Sequence, residues 1–180
     1  LVSQIERCGQ ILKKLTLNPT IEDDFIDRDL TMVDYVLGIT KSFRETSSKE
    51  FIINFNQFSN SLSVTKSIEI VYGLRNFIGN ANKFSKSKIF INIRSNINFT
   101  EIIIEDDGEG YPRDVLNKIG EPYIRSYKSS IKSKSGLGLG IFIGKTLLEK
   151  NYANILCTNS KMRNGAEVNI KWKNKDLIKL

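Results

Sequence analysis

GLRNFIGNANKFS, residues 73–85, is the stretch from which the rest of the chain can be interpreted. Its apolar side chains recur at helical spacing and predict one buried face, made of Leu74, Phe77, Ile78 and Ala81. The other side carries Asn76, Asn80 and Lys83, at positions i, i+4 and i+7, which stack along one helical face. An amide oxygen is a neutral hard ligand that suits Mg²⁺, and an ammonium group one turn further on suits phosphate. Because a polar helix face is usually only solvated, this face becomes a candidate site only together with the motifs that follow it.

Two glycine-rich segments follow this helix in the chain. In the first, EDDGEG at 105–110, Asp106 ends a β-rich run, and its carboxylate can accept a hydrogen bond from an exocyclic amine such as that of adenine. The glycines after it allow unusual backbone angles and the close approach of a flat ligand. The second segment, GLGLG at 136–140, opens an apolar helix, whose first N–H groups and dipole favour phosphate. Taken alone, the first segment is also compatible with an ordinary tight turn. The second is a weak signal by itself and fits neither a dinucleotide-binding turn nor a P-loop.

The remaining periodicities predict an α+β domain, a two-layer sandwich with a mixed sheet of about five strands and helices on one face. Strands are expected at 51–58, 62–65, 88–94, 99–105, 154–159 and 167–173, and helices at 29–45, from about 67 to 85, at 113–119 and from the second glycine segment to about 150. The first of these helices has an apolar face made of Leu30, Val33, Val36, Leu37 and Phe43. Residues 120–135 are rich in Ser and Lys and lack apolar periodicity, which is typical of a long functional loop.

Residues 1–15 have a different pattern, with apolar side chains spaced alternately four and three residues apart at Leu1, Ile5, Cys8, Leu12 and Leu15. Such a seam predicts a helix that packs on a partner helix, and its length of about 22 Å is too short for independent stability. We interpret it as the end of a dimerisation helix; packing on its own domain is the alternative. Since Asn18-Pro19 breaks the helix, we expect residues 1–19 to be helix and linker and residues 20–180 to be one domain, opened by the acidic, loop-like residues 20–28. We expect a longer parent protein, because the chain opens inside a helical pattern.

The composition limits the functional classes. The chain has 180 residues, a net charge of +7, two cysteines and no histidine. The lysines are scattered, so we do not expect nucleic acid as a partner; a positive surface also suits a nucleotide or an acidic protein. No apolar run reaches the length of a membrane span, and no signal peptide is evident. The absence of histidine excludes a His-based triad, a His zinc site and a phosphohistidine within these residues.

In this order, the three motifs resemble those of the ATP-binding catalytic domain of histidine kinases, in the superfamily shared with gyrase, Hsp90 and MutL. NFIGNANKF at 76–84 is similar to the N box, EDDGEG to the first glycine box and GLGLG to the second. The resemblance covers about residues 30–173 and implies a Bergerat-type ATP-binding fold. EPYIRS at 121–126 and ERCGQIL near the N-terminus are similar to RegB-type redox-responsive sensor kinases, where the latter belongs to the dimerisation domain.

The resemblance implies a role for each motif residue. Asn80 would bind Mg²⁺, Asn76 would lie by the metal and the phosphates, and Lys83 would meet phosphate. Phe84 would stack near the adenine, and Asp106 would accept a hydrogen bond from its amine. The implied nucleotide-binding set is completed by Gly108, Gly110, Tyr123, Gly136, Leu137, Gly138, Leu139 and Gly140, with residues 113–135 as the ATP lid. The chain departs from the pattern at Asp107, where many kinases have Asn, and at Gly79, where many have Glu.

Asn76 separates two reaction classes. The hydrolases of the superfamily carry a Glu four residues before the Mg²⁺-binding Asn, and an amide cannot replace it as a general base. We therefore expect the γ-phosphoryl group of ATP to pass to a histidine upstream of Leu1 and then to a response regulator receiver domain. The alternatives are a hydrolytic ATPase of the same superfamily and a degenerate nucleotide-binding regulator.

The RegB-type resemblance also implies a setting for the chain. It implies a homodimer through the N-terminal helix, a cytoplasmic domain and a parent protein anchored in the bacterial inner membrane. Cys8 lies on the helical seam, where an intersubunit disulfide is geometrically possible, and the resemblance suggests a redox-sensing thiol. The alternative for Cys8 is a small buried hydrophobe. We expect Cys157, in a strand, to belong to the core.

Overall fold

The computed structural model describes residues 30–60, 62–64, 67–122 and 139–177. Within these ranges the chain forms two layers, a five-stranded sheet and helices on one of its faces. The predicted N-terminal helix with Cys8, the acidic residues 20–28 and most of the predicted lid lie outside the described residues.

The predicted elements follow one another in the predicted order, together with a two-residue strand, a 3₁₀ helix and a last helical turn that were not predicted. The helices are α1 (Met32–Arg44), α2 (Ile68–Phe84), α3 (Arg113–Leu116), α4 (Gly140–Lys150) and α5 (Asn174–Leu177). The strands are β1 (Leu30–Thr31), β2 (Glu50–Phe55), β3 (Ser63–Val64), β4 (Lys88–Ser95), β5 (Phe99–Asp106), β6 (Asn154–Asn159) and β7 (Ala166–Lys173), with a 3₁₀ helix at Gln57–Asn60. None of the helices in the described part of the chain is long and apolar enough to cross a membrane.

The main sheet has the strand order β2-β4-β5-β7-β6. Strand β2 is parallel to β4, and the other neighbours are antiparallel, so the sheet is mixed as predicted. Strands β1 and β3 pair separately. The α+β fold class and the count of five strands are therefore confirmed.

The core lies between the sheet and the helices. Alternate isoleucines of β4 and β5 point toward the helices because successive side chains of a strand face opposite sides of a sheet. Ile91 of β4 and Ile104 of β5 are paired in register, and both are buried. They share one core with Leu74 and Phe77 of α2, so the predicted apolar face of that helix is confirmed.

Helix α1 begins later than predicted. Thr31 caps the helix through a reciprocal pair with Asp34, in which the Asp34 N–H donates to Thr31 Oγ1 at 3.2 Å and the Thr31 N–H donates to Asp34 Oδ2 at 2.8 Å. Its apolar face is also rotated relative to the prediction, because Leu37 is 41% exposed while Tyr35 and Ile39 are buried. The aromatic ring of Tyr35 supplies core contacts that a strict aliphatic pattern does not reveal.

Strand β2 ends at Phe55, before the predicted end at residue 58. The side chain of Asn56 explains this stop: its Nδ2 donates to Ser95 O at 2.8 Å, and its Oδ1 accepts from the Ser59 N–H at 3.1 Å. These bonds turn the chain into the 3₁₀ helix. Helix α3 is likewise shorter than the predicted 113–119, and Gly120, just beyond it, has a φ of 95°.

Candidate functional site

The predicted polar face of α2 packs against the N-terminal half of α4. A Cβ atom placed on Gly140 would lie 3.2 Å from Nδ2 of Asn80, and one placed on Gly144 would lie 3.1 Å from Cβ of Asn76. Both asparagines are half-buried by this contact rather than fully exposed. Two of the predicted site residues on α2 are thus brought to the helix that the second glycine segment opens.

Glycines on both helices make this close approach possible. A Cβ atom on Gly73 of α2 would lie 2.5 Å from Cδ2 of the buried Leu148, and one on Gly144 of α4 would lie 3.2 Å from Gly73 O. Any larger residue at these positions would separate the helices. Since Asn76 and Asn80 lie on the same face of α2, that separation would also move them away from α4.

Asn80 has a buried amide group that needs a partner. Its Nδ2 is buried and has no hydrogen-bond partner among the described residues, whereas Nδ2 of Asn76 donates to Tyr72 O of its own helix at 2.8 Å. A buried polar atom without a partner costs about 1–3 kcal/mol. The two ends of an amide are interchangeable by a half-turn, which brings Oδ1 to the same position. Asn80 therefore presents a polar atom to the α2–α4 contact, and its oxygen fits a hard cation such as Mg²⁺.

The carboxylate of Asp106 is fixed at the end of β5. Asp106 is 3% exposed, and its Oδ1 accepts from the N–H groups of Gly108 at 2.8 Å and Ala166 at 3.2 Å. Burial raises its pKa, and these two hydrogen bonds act in the opposite direction. In the described part of the chain both bonds use Oδ1, so Oδ2 is the oxygen that a ligand amine would meet.

Three segments meet around Asp106. A Cβ atom on Gly108 would lie 2.5 Å from Phe84 O at the end of α2, and one on Gly165 would lie 1.9 Å from Asp106 O. Asn164, with a φ of 63°, and Gly165 form the predicted turn between β6 and β7, but the part that this turn plays beside Asp106 was missed. An Asn-Gly pair signals the turn, whereas only the sheet register brings Gly165 beside Asp106.

Asn159 holds the first glycine segment in place and was also missed. Its Oδ1 accepts from the Tyr111 N–H at 2.6 Å, and its Nδ2 donates to Tyr111 O at 3.0 Å. The preceding Gly110 has a φ of 73°, and a Cβ atom there would lie 2.7 Å from Oδ1 of Asn159. Since Tyr111 and Asn159 are distant in sequence, no local signal in either segment indicates the pair.

Asp107 anchors the segment that joins α2 to β4. Its carboxylate accepts from the Lys86 N–H at 2.8 Å, the Ser87 N–H at 3.0 Å and the Ser87 hydroxyl at 2.6 Å. Although partial burial raises its pKa, these hydrogen bonds outweigh the burial and lower the pKa to about 2. The two adjacent carboxylates thus differ: Asp106 faces the buried end of the sheet, while Asp107 binds the connecting segment.

Lys83 and Phe84 end α2 beside this region. The ammonium group of Lys83 lies 5.1 Å from the centroid of the Phe84 ring, which is 44% exposed. The exposed Phe84 ring offers a flat apolar surface at the end of α2, and the main chain of Phe84 lies beside Gly108, which follows Asp106.

Cys157 packs beneath the first glycine segment. It is half-buried against the core, and the pKa of its thiol is raised to about 11 by burial, while the positive charge of Lys145 and a hydrogen bond with Tyr111 lower it. The thiol is therefore protonated at neutral pH and unreactive. Its predicted place in the core is confirmed only in part, because its side chain is half-buried.

The predicted site residues thus fall into two neighbouring groups, both reached from the last two turns of α2. Asn76, Asn80 and Gly140 lie at the α2–α4 contact; Phe84, Asp106, Gly108 and Gly110 surround the end of β5. Leu139 precedes α4 and is buried, so it contributes packing at that position. Tyr123, Gly136, Leu137 and Gly138 lie outside the described residues.

Solved structures of histidine kinases have the same fold. The mycobacterial sensor histidine kinase MprB matches with a TM-score of 0.67 and 19% identity, over 80% of this chain and 96% of that chain. The catalytic domain of the histidine kinase ThkA has the same TM-score at 18% identity, over 81% and 95% of the two chains. Full-length ShkA, solved with AMPPNP, matches with a TM-score of 0.59 and 20% identity, over 95% of this chain and 37% of that chain. These likenesses define the class by its fold, an α+β sandwich of the Bergerat type.

The sequence then gives the family. The chain belongs to the histidine kinase-, DNA gyrase B-, and HSP90-like ATPase family, whose model matches residues 65–176. The sensor histidine kinase RegB of Cereibacter sphaeroides is 40% identical over 98 residues, which are 51% of this chain and 21% of RegB. A putative NtrY-like sensor histidine kinase of Rickettsia felis is 25% identical over 150 residues, 83% of this chain and 23% of that protein. The matched part of the chain therefore spans about a fifth of the length of these relatives.

Proposed function

We propose that this chain is the catalytic ATP-binding domain of a sensor histidine kinase, which transfers the γ-phosphoryl group of ATP to a histidine outside these residues. The chain itself contains no histidine. From the phosphohistidine the group would pass to an aspartate of a response regulator receiver domain. Family membership alone does not specify a kinase. The proposed kinase activity is inferred from the similarity to RegB, which is a sensor histidine kinase.

The convergence of three motifs on the end of α2 is the observation that carries this proposal. Gly140, at the start of α4, lies against Asn80, while Gly108, after β5, lies against the main chain of Phe84. Asn80 and Phe84 are about one helical turn apart. An extended ligand along this end of α2 would meet the helix N-terminus of α4 at one end and Asp106 at the other. A nucleotide has this chemistry, with phosphates at one end and an exocyclic amine at the other.

The residues present fit a magnesium ion. The buried and unpartnered amide of Asn80 is the group that would bind it, since an amide oxygen is a neutral hard ligand. A bound Mg²⁺ would neutralise charge on the phosphates during transfer. Lys83, one turn further along α2, would add a positive charge, and the first N–H groups of α4 would bind phosphate oxygens.

The side chains of α2 favour transfer over hydrolysis. The only carboxylate on this helix is Glu69, in its first turn, about 16 Å from Asn80 along the axis. Glu69 accepts from the Ser67 hydroxyl at 3.1 Å and pairs with Lys150 at 3.6 Å, so it is held at the far end of the helix. The position one turn before Asn80 is Asn76, which cannot deprotonate a water molecule. ATP would therefore be held intact until an acceptor arrives.

The first test is nucleotide binding. The chain should bind a fluorescent ATP analogue in the presence of Mg²⁺, and Asn80→Asp and Asp106→Asn should each weaken that binding by at least about tenfold, or about 1.4 kcal/mol. Asn80→Asp places a negative charge beside the phosphates, and Asp106→Asn removes the charge of the hydrogen-bond acceptor. Ser63→Ala, an exposed substitution in β3, is a control that should bind like the wild type. Unchanged affinity in both site variants would refute the assignment.

The second test is transfer. A histidine-bearing dimerisation domain from a RegB-type kinase, added in trans with radiolabelled ATP, should acquire acid-labile phosphate only when the chain is present. Asp106→Asn should abolish the labelling. Normal ATP binding with no labelled histidine would favour the alternative of a degenerate nucleotide-binding regulator. Rapid release of phosphate without an acceptor would favour a hydrolytic ATPase.

The setting of the protein is part of the same proposal. We propose a homodimer through the helix predicted at residues 1–15, a cytoplasmic catalytic domain and a parent protein anchored in the bacterial inner membrane. Cys8 is proposed as a redox-sensing thiol on the dimer seam. A Cys8-linked dimer on non-reducing gels after mild oxidation, absent from Cys8→Ser, would support this role, and a monomer under the same conditions would exclude it.

A further inference from the structure

A group of lysines lies at the end of the sheet remote from the candidate site. Lys171, Lys173 and Lys175, together with Ile97, Asn98 and Phe99, line an open pocket of about 460 Å³, which we call the lysine pocket. Phe99 begins β5 and Asp106 ends it, so the lysine pocket and the candidate site are about 24 Å apart along this strand. The lysine pocket therefore plays no part in nucleotide binding as proposed above.

The positive charges of the lysine pocket are not neutralised by ion pairs within the described ranges. The ion pairs in the described part of the chain involve other lysines: they join Lys88 to Glu50, Lys145 to Glu149 and Lys150 to Glu69. Glu101 lies opposite Lys171 in the sheet, but its carboxylate accepts a hydrogen bond from Asn169 at 2.9 Å. Three ammonium groups on neighbouring positions repel one another, which favours a ligand with several carboxylates.

The lysine pocket also has an apolar part. Ile97, in the turn between β4 and β5, is 80% exposed. The Phe99 ring lies below the ammonium group of Lys171, with its centroid 3.9 Å from Nζ. A ligand that fits both parts combines carboxylates with at least one apolar side chain.

The chain contains a segment of this chemistry. Residues 20–29 read TIEDDFIDRD and combine five carboxylates with the apolar side chains of Ile21, Phe25 and Ile26. The carboxylates belong to Glu22, Asp23, Asp24, Asp27 and Asp29. We call residues 22–29 the acidic segment. It carries one positive charge, at Arg28, against its five carboxylates, in a chain whose net charge is +7.

The acidic segment joins the fold at the correct end of the sheet. Leu30 of β1 pairs with Val64 of β3, which follows the 3₁₀ helix after β2. The start of this 3₁₀ helix is held to the end of β4 by Asn56, whose Nδ2 donates to Ser95 O at 2.8 Å. The turn after Ser95 contains Ile97 of the lysine pocket. Eight residues span up to about 26 Å when extended, which is enough to reach across the end of a five-stranded sheet.

We propose that the acidic segment of this chain docks on the lysine pocket, with its carboxylates against Lys171, Lys173 and Lys175 and an apolar side chain against Ile97. Each exposed ion pair is individually weak and is screened by salt, so the docking is reversible and depends on ionic strength. In sequence, the segment lies between the helix predicted at residues 1–15 and the first strand of the domain. Docking therefore sets how the domain is held relative to that helix, from the end of the sheet that the nucleotide does not reach.

Charge reversal in the full 180-residue chain tests the docking, with two-dimensional amide NMR spectra at low salt as the readout. The double variant Lys173→Glu/Lys175→Glu should shift the amide resonances of residues 22–29. The double variant Asp23→Lys/Asp24→Lys should shift those of residues 97–99 and 171–175. Combining all four substitutions restores opposite charges and should return both sets toward their wild-type positions.

A matched control reverses two exposed lysines outside both the lysine pocket and the predicted lid, Lys41→Glu/Lys161→Glu, and should leave the resonances of residues 22–29 in place. At about 0.5 M salt the screening length is only a few ångströms, so the docked segment should dissociate. The wild-type resonances of residues 22–29 should then shift in the same direction as in the lysine-reversal variant. All variants should keep the nucleotide affinity of the wild type, so that a failed docking test leaves the proposed function unaffected.

The proposal is overturned if the resonances of residues 22–29 do not shift when the lysines are reversed. It is also overturned if, in the variant with all four substitutions, the resonances of both regions remain as far from their wild-type positions as in the two double variants. A separate peptide of sequence TIEDDFIDRD that shifts the lysine pocket resonances, in a chain whose own segment does not respond, would also overturn it. That result would assign the pocket to an acidic partner in trans.

Discussion

Gly140→Ala should weaken nucleotide binding without destabilising the fold. A Cβ atom at this position would lie 3.2 Å from Nδ2, 3.3 Å from Oδ1 and 3.6 Å from Cγ of Asn80. Non-bonded carbon contacts are normally about 3.5–4.0 Å, so the amide must move by a few tenths of an ångström. Gly140 does not have a positive φ, so its backbone conformation is open to alanine.

The substitution has opposite effects on affinity and on stability. Alanine is favoured over glycine in a helix by up to about 1 kcal/mol, so the free energy of unfolding should stay the same or rise slightly. The amide of Asn80, in contrast, would lose its alignment with a charged ligand, and such a hydrogen bond contributes about 1.5–3 kcal/mol. At about 1.4 kcal/mol for each factor of ten, the dissociation constant for Mg²⁺–ATP should rise by about tenfold to a hundredfold.

Titration with a fluorescent ATP analogue and urea denaturation measure the two quantities separately. Gly79→Ala is the matched control. Gly79 is next to Asn80 in α2, but a Cβ atom there would contact the Phe43 ring, at 3.3 Å, and not the Asn80 amide. It should leave the affinity unchanged. In an Asn80→Ala background, Gly140→Ala should cost no further affinity, because the crowded amide is absent. An equal loss of affinity in both backgrounds would refute this reasoning, and so would wild-type affinity in Gly140→Ala itself.

Three further substitutions test other contacts. Asp107→Asn should lower the free energy of unfolding at pH 7 by about 0.5–1 kcal/mol, since the exposed carboxylate loses its charge-assisted bonds to Ser87. Because its folded pKa of about 2 lies below the usual value, that stabilisation is present above about pH 4 and is lost as the pH falls through 2, so urea denaturation should show the difference shrinking with acid. Asn159→Ala should weaken ATP-analogue binding several-fold, because both hydrogen bonds to the Tyr111 backbone are lost, each worth about 1 kcal/mol. Asn76→Glu should raise steady ATP hydrolysis by at least about tenfold, measured as phosphate release, because a carboxylate there can act as general base.

Each of these has a distinct contradicting outcome. A stability difference for Asp107→Asn that is the same at pH 7 and pH 2.5 would show that its charge is irrelevant. Full nucleotide affinity in Asn159→Ala would mean that the first glycine segment keeps its shape unaided. For Asn76→Glu the control is Asn76→Gln, and equal phosphate release by the two variants would remove the argument that this position separates transfer from hydrolysis.

The periodicity of residues 73–85 was enough to predict the buried face of α2, because burial follows the helical repeat directly. Strand β4 was equally accessible, since its isoleucines fall on alternate positions. Strand β5 was recognisable instead by its run of three isoleucines at 102–104. The surroundings of Asn76 and Asn80 were not accessible in this way. Whether a polar helix face meets solvent or another helix depends on Gly73 and Gly144, which carry no periodic signal of their own.

Long-range pairs account for what the sequence could not predict about the candidate site. The Asn159 amide and the Tyr111 backbone meet because β5 and β6 both flank β7, a fact of strand order rather than of either segment. Gly165 comes to lie beside Asp106 for the same reason. The motif residues could be proposed from sequence because a ligand's chemistry restricts their type, whereas the residues that position them only have to satisfy backbone groups and can be many types.

The contacts around the end of α2 explain how so few side chains can form a binding site. The ammonium group of Lys49 donates to Asn82 O and, at 2.6 Å, to Ser85 O, which holds the last carbonyl groups of the helix. Asp107 holds the residues that follow. A helix end fixed from both sides keeps Asn80 and Phe84 in constant relation to Asp106, so little ordering is needed when a ligand binds. On the other side of the proposed site, Gly140 lies against the Asn80 amide, so the start of α4 is positioned by the same helix end.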